Sequence, residues 1–160
     1  MTFHFSVWVD ADSFPSRARS FVLSHAVPKS VPVVFVANRE IDSGGRARMI
    51  VCQEGKDSAD DHIFNGCSGN DIVLTRDILF AARLVDKKIK VMNDRGLIFT
   101  KDNIAGRLRE REFSLNLAEI GLGAGKGSYY GDKELRKFSA VFAEELQKHI
   151  IADVYNVRRV

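Results

Sequence analysis

Acidic residues that could bind a metal ion follow the apolar segments of this sequence. Asp10 and Asp12 come directly after the apolar run of residues 5–9, and Asp77 stands two positions after the run of residues 71–75. Asp60 and Asp61 fall in the first turn of a predicted helix. Mg²⁺ and Mn²⁺ prefer oxygen ligands, and such an ion polarises a phosphoryl oxygen and activates water. Three or four of these carboxylates, together with a substrate phosphate, would complete a divalent-metal site.

Each of these acids also has a structural explanation. Asp77 is well placed to cap a helix, Asp60 favours a helix N-terminus through the helix dipole, and Asp12 could cap the first helix. Asp10 and Asp12 together are harder to explain structurally, because two acids next to a buried strand need a partner. The metal-site prediction therefore depends on the joint pattern and not on any single residue.

The elements that must position these residues alternate along the chain. Apolar runs rich in β-branched residues predict five strands, at residues 5–9, 31–36, 49–52, 71–75 and 89–92. Polar residues followed by apolar residues at helical spacing predict five helices, which begin near Ser13, Asp57, Asp77, Thr100 and Asp132. We expect residues 41–48 and the glycine-rich residues 121–128 to form loops.

Alternating strands and helices with almost continuously apolar strands predict a single-domain, three-layer α/β/α fold. Its sheet would be five-stranded and mostly parallel, with helices on both faces. In such sheets, functional groups collect beyond the carboxyl ends of the strands, near the point where the strand order reverses. Every acid named above is predicted at that edge.

Composition narrows the class of protein. The chain has 160 residues, 45% of them hydrophobic, and its two cysteines are too few for a disulfide scaffold. Residues 1–80 hold 8 Lys/Arg and 10 Asp/Glu, whereas residues 81–160 hold 16 and 11. An acidic half beside a basic half suits a carboxylate site next to a phosphate-binding surface. No basic leader or long apolar run is present, so we expect a cytoplasmic protein without membrane partners.

Several motifs in this order resemble one known family. The blocks are residues 9–15 (VDADSFP), 36–38, 55–60, 71–78 and 93–96, followed by Thr100 and the pair Asn103-Ile104. Together they resemble the YaiI/YqxD family of bacterial proteins, whose function is uncharacterised. The resemblance covers roughly residues 7–148, and it implies one domain over residues 1–150 followed by a C-terminal tail at residues 151–160.

That family is similar in fold to the PIN-like nucleases, and this similarity implies a ligand set. Asp10, either Asp60 or Asp61, and Asp77 would be metal ligands, with Asp12 close by and Thr75 bracing Asp77. A further acid that PIN domains carry would be represented by Asn93 or Asp94. The chain departs from the family pattern at Phe14, where a cysteine is common, and this argues against thiol chemistry.

The leading hypothesis is a PIN-like hydrolase of phosphodiester bonds in RNA that depends on Mg²⁺ or Mn²⁺. Asp10, Asp60, Asp61 and Asp77 would hold the metal, and Asp12 would join Asp10 and Asp77 in catalysis. The residues expected to meet substrate phosphates are Thr75, Arg76, Arg95 and Lys126.

Two alternatives remain open at this point. Asp10-Ala11-Asp12 after a first strand also fits a haloacid-dehalogenase-like phosphatase, in which Asp10 would be the nucleophile and Asp12 the acid/base. That chemistry also requires a lysine and a later acidic pair, and Thr75-Arg76-Asp77 supplies neither cleanly. The other alternative is a nucleic-acid-binding module that has no catalytic activity and keeps the carboxylates for structure or for metal binding.

Overall fold

The strands form one twisted layer at the centre of the molecule. A computed structural model describes residues 3–53, 58–122 and 129–159. Its strands are β1 (Val7–Asp10), β2 (Val33–Ala37), β3 (Arg48–Val51), β4 (Ile72–Leu74), β5 (Lys90–Met92) and β6 (Ile98–Phe99). They form one sheet in the order β3-β2-β1-β4-β5-β6, in which only β6 is antiparallel to its neighbour.

The mostly parallel α/β prediction is confirmed, but the predicted number of five strands is wrong. The sixth strand has two residues, which pair with Val91 and Met92 of β5. A segment of two residues is too short to show the alternation of apolar and polar residues that predicts a strand. The side chain of Asn93 shapes the hairpin, because its Oδ1 accepts the backbone N–H groups of Arg95 and Leu97, both at 2.9 Å.

Five helices cover the two faces of the sheet. They are α1 (Ser16–Ala26), α2 (Ser58–Gly66), α3 (Ile78–Asp86), α4 (Lys101–Glu119) and α5 (Asp132–Arg159), and a short 3-10 turn follows α1. Because side chains alternate across a strand, Val7 and Val9 pack with α1 and α5, whereas Trp8 packs with α2 and α3. The three-layer prediction therefore holds. None of the helices in the described chain is long and apolar enough to cross a membrane.

Helix starts were predicted with mixed success. Thr100 forms a capping box with Asn103, and the Asp77 side chain accepts the N–H of Phe80 at 3.2 Å, as expected of caps. The predicted cap at Ser13 is wrong, because α1 begins at Ser16 and its first turn has no side-chain cap. The Ser13 hydroxyl bonds to Asp10 instead. The Asp57 cap lies outside the described residues.

The longest helix, α5, extends through the segment predicted as a C-terminal tail. Phe138, Phe142 and Leu146 form its buried stripe, which packs into the core shared with α1. The helix then continues without a break to Arg159, so the described residues from 151 onwards prolong this helix.

Asp71 fixes the amino edge of the sheet. Its buried carboxylate accepts hydrogen bonds from Ser6 N (2.8 Å), Trp8 Nε1 (3.0 Å) and Ser68 N (2.9 Å). We expect Asp71→Ala to lower the free energy of unfolding by about 2–4 kcal/mol, because it leaves these donors unsatisfied. Urea denaturation followed by the fluorescence of Trp8, the single tryptophan, measures this loss. The exposed Asp86→Ala is the control, and an equal effect in both variants would contradict the assigned role.

Candidate active site

The strand order places a topological switch point between β1 and β4. The chain leaves β1 for β2 on one side and later returns to β4 on the other side, so the connections diverge at the carboxyl ends of this pair. Asp10 is the last residue of β1, and Thr75 directly follows β4. Crevices at such points are the usual ligand sites of open α/β sheets.

One hydroxyl group links the two sides of this crevice. The fully buried Thr75 donates its Oγ1 hydrogen to Asp10 Oδ2 at 2.8 Å and accepts the backbone N–H of Asp77 at 3.1 Å. The predicted bracing of Asp77 by Thr75 therefore takes the form of a bond to its backbone. The same hydroxyl also orients Asp10.

The two oxygens of Asp10 have different surroundings. Oδ2 accepts the hydroxyl hydrogens of both Thr75 and Ser13, the latter at 3.0 Å. Across the described chain, Oδ1 receives no hydrogen bond, and the same holds for Oδ2 of Asp77, whose Oδ1 caps α3. One oxygen on each side of the crevice thus has lone pairs available for a ligand.

Asp12 lies beside the end of β2. Its Oδ2 accepts the backbone N–H of Asn38 at 2.6 Å, and its Oδ1 is 3.5 Å from Nε of Arg39. The alternative role of Asp12 as a cap of α1 is therefore not observed. We call Asp10, Asp12 and Asp77 the carboxylate cluster, because the last two are the acids whose charges act on Asp10.

The pKa of Asp10 is raised above its usual range. Burial of the carboxyl is the largest cause, and the charges of Asp77 and Asp12 raise it further. The hydrogen bonds from Thr75 and Ser13 offset part of this increase. A cation at the cluster would relieve the desolvation and repulsion of the ionised form.

Replacement of Asp10 by asparagine should stabilise the protein at neutral pH. An amide oxygen can accept the bonds from Thr75 and Ser13, while the uncharged NH₂ takes the place of the unbonded Oδ1. Since the raised pKa means that ionisation destabilises the native state, wild-type stability falls as pH rises from 3.8 through the folded pKa. We expect Asp10→Asn to gain stability over the wild type above that pKa and to match it below 3.8.

Melting temperatures between acidic and neutral pH measure this effect, at about 2–4 °C for each kcal/mol. The exposed Asp86→Asn is the control for a generic loss of negative charge. A melting curve of Asp10→Asn that stays below the wild type at neutral pH would contradict the unfavourable ionisation of Asp10.

Asp61, one of the two acids predicted on α2, is paired with a residue of α3. Asp61 is exposed and pairs with Arg83 of α3, with Nη2 and Oδ1 3.2 Å apart. Asp60 is partly buried in the same first turn. In residues 3–53, 58–122 and 129–159, no three His, Cys, Asp or Glu side chains are grouped tightly enough to enclose one metal ion.

Arg76 connects the cluster with the end of β5. Its Nε lies 3.3 Å from Oδ2 of Asp94, which is buried and makes no hydrogen bond there. Arg76 and Asp94 therefore form an ion pair whose N–H group is not aligned for a hydrogen bond. Burial raises the pKa of Asp94, while Arg76 opposes that increase. Of the two residues considered for the further acid, Asn93 is used in the hairpin turn, whereas Asp94 keeps a carboxylate oxygen that accepts no hydrogen bond from the described residues and is paired with Arg76.

Arg95, another predicted phosphate contact, lies in the β5–β6 hairpin and contacts the segment that leads into α5. Arg95 points towards the start of α5, where Nη2 donates to Tyr129 O at 3.1 Å and Nη1 lies 3.7 Å from Glu134. Lys126 lies outside the described residues. Tyr130 donates its hydroxyl to Asp94 O at 2.6 Å, and burial raises the pKa of this phenol to about 12. Tyr130 therefore braces the hairpin as a neutral hydrogen-bond donor.

Sequence reasoning missed the role of Ser13. Its position three residues after Asp10 allows a local bond to that carboxylate, but the apolar residues that follow it at helical spacing also suggested a helix cap. Only the position at which α1 begins decides between the two. The large cleft of about 730 Å³ at the opposite edge of the sheet, beside Glu145 and His149, was also not predicted, and it contains no residue of the carboxylate cluster.

Comparison with known proteins assigns the family. The sequence profile of the uncharacterised YaiI/YqxD family matches residues 8–148, which include the whole carboxylate cluster and the hairpin with Asp94. The chain belongs to the YaiI/YqxD family. This confirms the resemblance seen in the sequence motifs.

Relatives in the YaiI/YqxD family are similar over nearly their whole length. A UPF0178 protein of Treponema denticola is 42% identical over 142 residues, which cover 89% of this chain and 92% of the relative. A UPF0178 protein of Psychromonas ingrahamii is 37% identical over 145 residues, covering 89% and 96%. Another from Acinetobacter baumannii is 33% identical over 146 residues, covering 90% and 94%. No solved structure gives a significant match to this YaiI/YqxD chain.

The donor set of the cluster suits a hard divalent cation that keeps part of its water shell. Mg²⁺ is usually held by one or two carboxylates with waters and substrate phosphate oxygens, and not by a closed cage of protein ligands. The unbonded oxygens of Asp10 and Asp77 supply such a partial set.

Proposed function

We propose that this protein is a hydrolase of phosphodiester bonds in single-stranded RNA and depends on Mg²⁺ or Mn²⁺. The observation that carries the proposal is the pair of unbonded carboxylate oxygens, on Asp10 and Asp77, at the switch point of the sheet. Thr75 connects the two residues through hydrogen bonds of 2.8 and 3.1 Å. The resemblance to PIN-like nucleases supports RNA as the substrate.

The residues of the cluster have separable roles in this proposal. Asp10, Asp77 and Asp12 would hold the cation, which, when bound, polarises a phosphoryl oxygen and lowers the pKa of a water molecule. Thr75 and Ser13 keep Oδ2 of Asp10 occupied, and this leaves Oδ1 directed to the ligand. Arg76, which is partly exposed and paired with Asp94, would approach a substrate phosphate.

Asp60 and Asp61 remain predicted ligands because of the resemblance, and α2 is the element that would supply them. In the structure described, Arg83 competes for Asp61, so its contribution would require that the pair separates. The phosphatase alternative gains no support from specific contacts, because in the described chain no lysine bonds to Asp10 or Asp12.

The test is cleavage of a labelled single-stranded RNA oligonucleotide by the full-length protein. We expect slow cleavage in Mn²⁺ or Mg²⁺ and none after addition of EDTA. Trapping of a phosphoryl group on Asp10 would replace this proposal with the phosphatase mechanism. If no RNA, DNA or small phosphate ester is cleaved while the metal still raises the melting temperature, the protein is instead a binding module that does not catalyse the reaction.

A further inference from the structure

A second pocket lies at the same edge of the sheet as the carboxylate cluster, where the β5–β6 hairpin meets α4 and the start of α5. It has a volume of about 290 Å³. We call it the basic pocket and define it by the charged residues of its lining, which are Arg95, Arg107, Lys133, Glu134 and Lys137. Four cations thus face one carboxylate in a small concave space.

The charges of the basic pocket are incompletely balanced by the protein. Arg95 lies 3.7 Å from Glu134, and Arg107 pairs with Glu110 outside the pocket at 3.3 Å. Within the described residues, Lys133 and Lys137 form no salt bridge. These two lysines are four residues apart near the N-terminus of α5, where like charges repel and the helix dipole disfavours cations. A bound anion would offset both the repulsion between the lysines and their unfavourable interaction with the helix dipole.

A close contact between backbones joins the hairpin to α5 beside the pocket. Gly96 has a φ of +79°, and a Cβ added there would stand 2.7 Å from the carbonyl oxygen of Lys137. The hairpin therefore touches α5 at the residue that contributes one of the unpaired cations. This contact sets the backbones of Arg95 and Lys137 close to each other, so that no backbone movement is needed to bring both cations to one ligand.

The basic pocket also lies beside the carboxylate cluster. Arg95 follows Asp94, which pairs with Arg76 at 3.3 Å, and Arg76 precedes Asp77. β4 and β5 are parallel neighbours, so both groups extend from the same edge of the sheet. A strand of RNA at the cluster would have a phosphate within reach of these cations.

We propose that the basic pocket binds a phosphate group of the RNA strand that the carboxylate cluster cleaves. The part of this statement that concerns cleavage rests on the proposed function, whereas phosphate binding rests on the pocket itself. Inorganic phosphate presents the same oxygen atoms as a phosphate group of an RNA strand, so the experiment must distinguish these two sources.

The experiment measures binding without catalysis. Fluorescence anisotropy of a labelled single-stranded RNA oligonucleotide is recorded in EDTA at several salt concentrations, with the double variant Lys133→Gln/Lys137→Gln beside the wild type. We expect the affinity to fall about tenfold or more and the salt dependence to flatten, because two phosphate contacts are lost. Arg136→Gln is the matched control, since it removes an exposed cation of the same helix that does not line the pocket.

Competition identifies the source of the phosphate. Displacement of the RNA from the wild type by millimolar inorganic phosphate would assign the pocket to a terminal or free phosphate. If only longer oligonucleotides displace the labelled RNA, the pocket binds a phosphate group within the RNA strand. Equal affinities of the double variant and Arg136→Gln would overturn the proposal. Because binding is measured in EDTA, it does not depend on the metal, and intact binding by a wild type that cleaves no RNA in Mn²⁺ or Mg²⁺ would contradict the hydrolase proposal and leave the pocket supported.

Discussion

Asp77→Asn should reduce Mn²⁺-dependent cleavage of single-stranded RNA by about a hundredfold or more while the protein remains folded. The carboxylate supplies a preorganised negative charge at the proposed metal site, and groups of this kind are worth roughly 3 kcal/mol in the transition state. Asparagine retains the oxygen that caps α3 through the N–H of Phe80, so the melting temperature should change little.

Two further variants make this result interpretable. Asp102→Asn removes an exposed carboxylate from the first turn of α4 and should leave cleavage unchanged. Asp61→Asn tests whether α2 contributes a ligand, because a loss comparable to that of Asp77→Asn would mean that Asp61 leaves Arg83 to bind the metal. Cleavage that persists both in Asp77→Asn and in EDTA would come from another site or from a contaminating nuclease.

Gly96→Ala should be among the most destabilising small substitutions in this chain. The left-handed φ of +79° disfavours any side chain, and the new methyl group would overlap the carbonyl oxygen of Lys137 at 2.7 Å. We expect a loss of about 3 kcal/mol or more, since a backbone contact cannot be relieved without moving the hairpin away from α5. Urea denaturation followed by Trp8 fluorescence measures it.

Gly45→Ala provides the matched control for this strain. Gly45 has a nearly equal φ of +75°, but a Cβ there would meet no atom within 4 Å. Its substitution should cost about 1 kcal/mol, the penalty of the left-handed conformation alone. If the two substitutions cost the same, the close packing of the hairpin on α5 is not a source of stability.

The sequence was sufficient to predict the architecture, because the architecture depends on local patterns. Continuous apolar runs indicate buried parallel strands, and their alternation with helices leaves few topologies. The place of Asp10 and Asp77 at one edge follows from this alone. The two-residue strand β6 escaped prediction because it depends on the hairpin that Asn93 stabilises, which is a local detail without periodicity.

The membership of the candidate site could not be predicted in full, because it depends on distances between elements. The first turn of α2 was expected to deliver its acids to the cluster, yet Asp61 lies against Arg83 of α3. The angle at which a helix packs on a sheet decides such a contact, and no residue spacing encodes it. Lys133 and Lys137 of the basic pocket were overlooked for the same reason, since α5 is brought to the hairpin by tertiary packing.

The central position of β1 has a consequence for the order of events during folding. β1 can pair with β2 early, but its other neighbour is β4, and the bond between Asp10 and Thr75 spans 65 residues of sequence. Closing so long a loop costs conformational entropy before the paired strands contribute any favourable contacts. Pairings of this kind therefore tend to form late in folding. An emerging chain that has not yet reached β4 would hold Asp10 and Asp12 without Thr75 and Asp77. The carboxylate cluster therefore forms only when the centre of the sheet is complete, and, if the protein cleaves RNA as proposed, incomplete chains on the ribosome would leave RNA uncut.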